Sequence, residues 1–264
     1  MNTLTQVQPS VTPFFHAPTG TWTYVVADPA SRAAAVIDPV LDYDWRSGRT
    51  GTKSADALIA HCANERLEVG WILETHAHAD HLSAAPYLQS RLGGRIAIGR
   101  GILQVQATFK RIFGLGADFT ADGSQFDALL VDGDRVDLGA IPGHVIAAPG
   151  HTSDSVAYFF GDALFVGDTV FMPDGGSARC DFPGGSPGVL YDSVQRLYAM
   201  PDDTRLFVCH DYMPGGRPLA FETTVREQKR SNVQLGERTT REGYVAFRNE
   251  RDAGLEAPVL ILPS

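Results

Sequence analysis

The segment ETHAHADH, residues 74–81, constrains the fold of this chain most strongly, because it places His76, His78, Asp80 and His81 within six positions. It directly follows the apolar run WIL. In an extended backbone a spacing of two puts His76 and His78 on the same side, and the other two side chains can reach a neighbouring point. Burying so many polar groups without partners is costly. Unless the segment is a histidine-rich surface stretch, other parts of the chain must supply partners for it.

Three further apolar runs end in a residue that can bind a metal ion: VIAAPGH ends at His151, ALFVGD at Asp168 and RLFVCH at His210. Strand ends at one edge of a sheet can converge on one cleft, and imidazole and carboxylate are the usual ligands of Zn(II) and non-haem Fe(II). Taken singly, such residues are more often ordinary polar or turn residues. Together with the histidine-rich segment they predict a metal site. Histidines outside this pattern are interpreted as ordinary residues: His16, His61 and His144.

Short apolar runs closed by turn residues predict strands, and runs with apolar residues at helical spacing predict helices. The helix that starts near Ser54 is expected to use this residue as its cap. Strands are expected in residues 21–29, 33–40, 69–76, 95–99, 144–151, 156–162, 163–168 and 204–211, with a hairpin in 127–139. Helices are expected in residues 54–67, 83–94, 102–116, 190–201, 221–235 and 241–255.

The order of these elements predicts the fold class. Both halves of the chain contain several strands followed by helices, which fits sheets packed on each other with helices outside. The 264 residues, of which 44% are hydrophobic, can form one large domain or two small ones. We predict a single domain over residues 1–264, with a helical C-terminal part from about residue 219.

The composition excludes several classes of partner. A net charge of −9 without a cluster of basic residues argues against nucleic acid. The three cysteines are widely separated, which suggests a reducing compartment rather than a disulfide framework. The N-terminal stretch MNTLTQVQPSVTPFF does not look like a secretory signal, and no apolar run approaches the roughly 20 residues that span a bilayer. These features predict a cytoplasmic protein with a small-molecule partner, and they allow a monomer or a homodimer.

The motifs THAHADH, PGHT, GDT and VCHD, in this order, resemble the metallo-β-lactamase superfamily across nearly the whole chain. The resemblance implies an α+β fold, the αββα sandwich, in which two mixed β-sheets are flanked by helices and metal binds at the sheet edges. It also implies the metal ligands: His76, His78 and His151 around one metal, Asp80, His81 and His210 around the other, and Asp168 bridging them.

Within this superfamily the chain is similar to glyoxalase II, a two-metal thioesterase, and to the persulfide dioxygenases, which include bacterial β-lactamase-hydrolase-like proteins linked to sulfide detoxification. The segments GDTVFMPDGGSARCDFPGGSP and VCHDYMPGG look like the second group. That similarity implies one Fe(II) per chain, held by His76, His151 and Asp168, with positions open for O₂ and substrate. A thiol persulfide such as glutathione persulfide would be oxidised to sulfite. Arg179 and Tyr212 match positions that contact the glutathione moiety in the persulfide dioxygenases.

The rival interpretation uses the same ligands for hydrolysis. Two Zn(II) ions or a mixed pair of divalent metals would fill both sites, a bridging hydroxide would be the nucleophile, and Asp80 would help to orient it. Thioesters, lactones or phosphoesters are then the candidate substrates. A catalytically silent metal-binding sensor is a third alternative.

Two residues close to these motifs are not assigned to the chemistry. Cys180, beside Arg179, is expected to be a buried structural thiol rather than a nucleophile, because a single arginine is weak evidence for a lowered pKa. Gln234 stands near the position at which the similar dioxygenases offer glutathione a basic residue.

Overall fold

The computed structural model describes residues 8–258 and 260–261, so the expectation about a secretory signal falls partly outside the described residues. The first half contains, in chain order, β1 (Ser10–His16), β2 (Thr21–Ala27), β3 (Ala33–Ile37), β4 (Val40–Asp44), β5 (Arg49–Gly51), α1 (Lys53–Asn64), β6 (Glu68–Leu73), β7 (Leu82–Ser83), α2 (Ala85–Leu92), β8 (Arg95–Gly99), α3 (Ile102–Ile112) and β9 (Ala128–Leu130). The second half contains β10 (Gly143–Ala147), β11 (Val156–Phe160), β12 (Ala163–Phe165), α4 (Pro187–Tyr198), β13 (Arg205–Phe207), β14 (Glu222–Thr224), α5 (Val225–Ser231) and α6 (Arg241–Asp252). Among the described residues no helix has both the length and the apolar character needed to cross a membrane.

The strands form two mixed sheets. The first has the order β1-β2-β3-β6-β8-β9, antiparallel from β1 to β3 and parallel from β3 to β9. The second has the order β10-β11-β12-β13-β14, in which β12 and β13 are parallel and the other pairs antiparallel. The short strands β5, β4 and β7 form a small additional sheet, which is joined through β7 to the histidine-rich segment.

Strand β2 shows how the layers are built. Tyr24 and Val26 belong to the core between the two sheets, whereas Val25 and Ala27 belong to the core beneath helices α1 and α2. Side chains alternate between the two faces of a strand, so one strand can contribute to two cores. This is why β2 is buried along its whole length.

Helix α4 lies on the side of the second sheet. Leu190, Val194 and Leu197 recur at helical spacing and belong to the same buried cluster as Phe160 of β11. Helices α5 and α6 pack against α4. The expected α+β sandwich of two mixed sheets flanked by helices is therefore confirmed, whereas the assignment of one domain to residues 1–264 stays a prediction.

The predicted hairpin in residues 127–139 is wrong. Strand β9 pairs in parallel with β8 of the first sheet, and Leu138 instead forms a short bridge with Ile141. Two apolar runs separated by a turn signal predict two extended segments, but they do not determine which partners the segments pair with.

Two predicted helices begin elsewhere. In the range 221–235 the first residues form β14, and α5 starts after Thr224, whose hydroxyl accepts a hydrogen bond from the N–H of Glu227. Helix α1 starts at Lys53, so Ser54 lies inside its first turn, where its N–H and hydroxyl donate to the carboxylate of Asp42. Pairing of β14 with β13 in the first case, and of Ser54 with Asp42 in the second, outweighs the local pattern.

Helix α6 is fastened to the loop before α4 by buried charges. Arg248 donates through Nη1 to the carbonyl oxygens of Ser177 and Ala178, both at 3.1 Å, and forms an ion pair with Asp252 at 2.8 Å. Asp252 in turn accepts a hydrogen bond from the N–H of Cys180 at 2.8 Å. Breaking one partner of a buried pair leaves an uncompensated charge, so this contact fixes the C-terminal helix against the loop.

The core between the sheets gives a first prediction. Phe165 is 1% exposed and stacks on Phe207 with ring centroids 4.8 Å apart. Phe165→Ala should lower the free energy of unfolding by about 3–5 kcal/mol, because it removes a buried ring and leaves a cavity. Urea denaturation measures this quantity. Phe247→Ala, on α6 at a position that is 41% exposed, is the matched control and should cost less than about 1 kcal/mol. Equal losses for both variants would contradict this description of the core.

Candidate metal centre

The predicted ligands lie at strand ends that the two sheets bring together. Strands β12 and β13 are parallel with Phe165 opposite Phe207, so Asp168 and His210 each follow three residues later and lie side by side. His151 follows β10 of the same sheet, and the histidine-rich segment follows β6 of the first sheet. Because the sheets face each other, residues distant in sequence meet at one edge of the sandwich.

His76, His151 and Asp168 form a compact set of potential ligands. Their donor atoms all lie within 4.8 Å of one another. The distances to Asp168 Oδ2 are 3.8 Å from His76 Nε2 and 3.6 Å from His151 Nε2. All three residues are buried. Two imidazoles and one carboxylate therefore point at a common position.

Hydrogen bonds hold the two imidazoles of this set in the tautomer that binds metal. The Thr75 hydroxyl donates to Asp38 Oδ2, so at 2.9 Å from His76 Nδ1 it accepts the proton of that nitrogen. His151 Nδ1 donates to the carbonyl oxygen of Arg179 at 2.7 Å. With Nδ1 protonated, each Nε2 carries a free lone pair directed towards Asp168.

A second group of potential ligands lies on the other side of Asp168. His210 Nε2 is 3.3 Å from Asp80 Oδ2 and 3.4 Å from Asp168 Oδ1. Donor atoms of His78, Asp80 and His81 lie within 4.8 Å of one another. Asp168 therefore presents one carboxylate oxygen to each group.

His78 does not join His76 and His151, with which the family pattern groups it. Its Nε2 lies 3.2 Å from Asp38 Oδ1 and 3.3 Å from Glu74 Oε2, and its Nδ1 is buried without a hydrogen-bond partner. Burial tends to lower the pKa of His78, but the two carboxylates outweigh this and raise its pKa well above the ordinary value. The ring is thus held by a pair of buried acids.

Asp38 is a residue of this site that the sequence analysis missed. It accepts hydrogen bonds from the N–H and the hydroxyl of Thr75, at 2.7 and 2.9 Å, as well as contacting His78. Burial tends to raise the pKa of Asp38, but these partners lower it. Asp38 follows β3 just as the predicted ligands follow their strands, and its φ of 49° is one that aspartate tolerates. The Asp-Pro dipeptide made it look like an ordinary turn.

The protonation states of His76, Asp80 and His81 suit a metal ion. Burial, and then the neighbouring imidazoles, hold the pKa of His76 well below its ordinary value, and burial with His78 lowers the pKa of His81 to about 3. Burial tends to raise the pKa of Asp80, but His210 and His81 lower it to about 2. Neutral imidazoles and ionised carboxylates are the forms that bind metal.

Buried polar atoms without a hydrogen-bond partner show whether these residues fit a metal ion. Buried donor or acceptor atoms without a hydrogen-bond partner gather here: His78 Nδ1, Asp80 Oδ2, His81 Nε2, Asp168 Oδ1 and His210 Nε2. Buried polar groups are normally paired, and a divalent cation would satisfy these atoms together. Nitrogen and oxygen ligands fit both Zn(II) and Fe(II). The site therefore fits a metal without selecting its identity.

The two predicted glutathione contacts lie on either side of the ligands. Arg179 directs Nε and Nη2 to the carboxylate of Asp181, both at 2.6 Å, and Nη1 to the carbonyl oxygen of Glu256 at 2.7 Å. Tyr212 is 62% exposed, and its ring stacks on that of His210 with centroids 5.6 Å apart. The guanidinium is already paired, whereas the tyrosine is open to solvent.

Cys180 and Gln234 have structural roles in and around the loop before α4. Cys180 is 4% exposed, and burial, followed by the charge of Asp252, raises its pKa to about 12, as expected for a structural thiol. Gln234 Oε1 accepts from the N–H of Ser177 at 3.1 Å and from Arg248 at 3.4 Å. Gln234 thus supports the contact between α6 and the loop.

Several known proteins are similar to this chain along most of its length. A protein of Burkholderia pseudomallei named a probable metallo-hydrolase is 50% identical over 261 residues, 95% of this chain and 89% of the relative. A beta-lactamase hydrolase-like protein of Xylella fastidiosa is 49% identical over 96% of this chain, which spans 58% of that relative's length. The human mitochondrial persulfide dioxygenase ETHE1 is 30% identical, over 81% of this chain and 71% of the relative.

A solved structure and a family model complete the comparison. The crystal structure of ETHE1 from Myxococcus xanthus superposes with a TM-score of 0.74 at 29% identity, covering 96% of this chain and 94% of the other. Residues 16–210, which include every predicted metal ligand, match the family model of the metallo-beta-lactamase superfamily. The chain therefore belongs to the metallo-beta-lactamase superfamily of metal-binding enzymes.

Proposed function

We propose that this enzyme is an Fe(II)-dependent persulfide dioxygenase that oxidises glutathione persulfide or a similar thiol persulfide. The overall reaction is RSSH + O₂ + H₂O → RSH + SO₃²⁻ + 2 H⁺. The outer sulfur loses four electrons and becomes sulfite, O₂ accepts them, and the carrier leaves as its thiol. A role in sulfide detoxification and a cytoplasmic location belong to the same proposal.

The three-residue set of His76, His151 and Asp168 is the observation that carries the proposal. Their donor atoms lie within 4.8 Å of one another, and the donor atom of His78 is grouped instead with those of Asp80 and His81. A site with two histidines and one carboxylate is typical of non-haem Fe(II) oxygenases and leaves positions open for O₂ and substrate. Iron held there would supply the redox chemistry between the persulfide sulfur and O₂.

The surrounding residues orient these three ligands. Thr75 and the carbonyl oxygen of Arg179 fix the two imidazoles, and His210 approaches the second oxygen of Asp168. Such contacts tune metal affinity and keep the reacting groups in place. The similarity to the human persulfide dioxygenase and to ETHE1 of Myxococcus xanthus supports the same chemistry.

A dinuclear hydrolase is the second candidate. Asp80, His81 and His210 keep unpaired buried atoms beside Asp168, as a second metal would require. With two Zn(II) ions or a mixed pair, the protein would hydrolyse a thioester, lactone or phosphoester, with Asp80 orienting the attacking hydroxide. The name of the Burkholderia relative, a probable metallo-hydrolase, favours this alternative.

Iron retention distinguishes the roles of the two ligand groups. After anaerobic reconstitution and desalting, Asp168→Ala should keep less than about a tenth of the iron of the unaltered protein, because one of its three ligands is lost. His210→Ala should keep more than about half, since it removes an outer contact. Elemental analysis of the two variants, each checked for folding by circular dichroism, gives the answer. Equal losses would count against the mononuclear site.

Oxygen consumption tests the reaction itself. The iron-loaded protein should consume about one O₂ and release about one sulfite per persulfide, as the reaction balance requires. An oxygen electrode and a sulfite assay measure both, with glutathione persulfide and hexyl persulfide as alternative substrates. Turnover of either supports the dioxygenase. Absence of uptake with both, together with thioester hydrolysis by a protein holding two zinc ions, would establish the hydrolase instead.

The proposed chemistry does not use the thiol of Cys180, and this can be tested by substitution. A buried thiol whose pKa is raised to about 12 is protonated at neutral pH and therefore a poor nucleophile. Cys180→Ala should keep kcat/KM within about twofold of the unaltered enzyme. Mass spectrometry after iodoacetamide treatment at pH 8 should find Cys180 unmodified. A loss beyond about tenfold in a variant with unchanged iron content would assign this thiol a catalytic role.

A further inference from the structure

An apolar cavity of about 480 Å³ adjoins the candidate metal centre. His76, His78 and His81 line one end of it. Strand β8, helix α3 and two loops supply most of the remaining wall, with the side chains of Ile98, Ile102, Val105, Phe109, Phe126 and Phe182. Its volume is within the roughly 300–1,000 Å³ of small-molecule sites, and such sites are mostly apolar.

Phe182 connects this cavity with the three-ligand set. Its ring lines the cavity and lies 5.4 Å from the ring of His151, in an edge-to-face arrangement. His76, a second member of that set, also lines the cavity. A molecule whose reactive end reaches these histidines can therefore extend its other end towards α3.

The two glutamines that line the cavity are already paired. Gln106 donates to Gln125 at 2.9 Å and accepts from the N–H of Gly123 at 3.0 Å. Glu74 is hydrogen-bonded by Ser83 and contacts His78. Apart from His76, His78 and His81 at one end, none of the described residues that line the cavity has a basic side chain. A carboxylate or ammonium group placed beside α3, away from these histidines, would lose its water without gaining a partner, which is unfavourable.

Glutathione carries two carboxylates and an ammonium group, so it fits this cavity poorly. Arg179, the cation expected to receive one carboxylate, is paired with both oxygens of Asp181, and its side chain is 18% exposed. Its guanidinium also lies over the ring of Phe182, 5.2 Å from the centroid. The positive charge of Arg179 beside the cavity is thus neutralised by Asp181.

The outer end of the cavity is apolar as well. Phe113 and Leu115, just after α3, line it and are 37% and 41% exposed. Large apolar side chains at an opening favour the entry of an apolar molecule. Ile112, on the same segment, is 50% exposed but is not part of the lining, so it provides a matched control.

We propose that the substrate carries its reactive sulfur on an apolar carbon group, an alkyl or aromatic chain, and that this group occupies the cavity between the histidines and α3. The inference rests on the proposed persulfide chemistry for the reactive end and narrows the carrier to an apolar thiol. Removing such a chain from water supplies the binding energy that charged contacts would supply for glutathione.

A homologous series of persulfides tests the proposal. From ethyl to hexyl persulfide, kcat/KM of the iron-loaded enzyme should rise by about fourfold per methylene, the factor expected for burying each group. Hexyl persulfide should exceed glutathione persulfide by at least about tenfold. A flat series, or a preference for glutathione persulfide, would overturn the proposal while leaving the dioxygenase assignment intact.

Variants in α3 and just after it locate the effect. Val105→Phe, which fills the cavity, should lower kcat/KM for hexyl persulfide at least about tenfold more than for ethyl persulfide. Phe113→Lys, a surface change that does not depend on core repacking, should lower the ratio of hexyl to glutathione persulfide turnover. Ile112→Ala should leave both ratios unchanged. Ratios that stay constant in Val105→Phe and Phe113→Lys would place the substrate elsewhere.

Binding provides a readout that does not depend on turnover. Titration calorimetry with hexane-1-thiol, the product, should show saturable binding to the iron-loaded enzyme that Val105→Phe weakens at least about tenfold and Ile112→Ala does not. If no persulfide supports oxygen uptake but this pattern holds, the persulfide chemistry fails and the apolar site stands. If oxygen uptake occurs and hexane-1-thiol does not bind, the apolar site fails alone.

Discussion

The buried carboxylate of Asp38 is the contact on which the candidate metal centre depends. It receives the N–H and the hydroxyl of Thr75 and the Nε2 of His78. Through Thr75 it determines which nitrogen of His76 carries the proton. One side chain at the end of β3 therefore positions Thr75, His76 and His78 of the histidine-rich segment. Contacts within the protein therefore orient two of the candidate ligands, His76 and His78.

The same side chains can support oxygenation or hydrolysis, because function depends on the details of the site and not on the fold. Asp168 offers one oxygen to His76 and His151 and the other to His210. The donor atom of His78 is grouped with those of Asp80 and His81 rather than with the first set. The proposed mononuclear site therefore depends on the direction of this side chain and not only on the residue type.

Sequence patterns predict the layers and the strand ends that carry the candidate ligands, because each apolar run and the polar residue after it are local: such runs are followed by His76, His151, Asp168 and His210. The partners of β9 could not be predicted in this way, since pairing across a sheet is not encoded in a single run. Asp38 cannot be identified for a similar reason: an aspartate before a proline looks the same in sequence whether it forms an ordinary turn or accepts buried hydrogen bonds. The apolar cavity cannot be recognised from the sequence because the residues that line it look like core residues.

The contact between α6 and the loop before α4 links the C-terminal helix to the candidate metal centre. Arg248 and Asp252 hold the backbone on both sides of Arg179, whose carbonyl oxygen orients His151. A helix that contributes none of the candidate ligands therefore helps to fix the tautomer of one of them. Loosening of this helix would disturb that imidazole while both sheets stay intact.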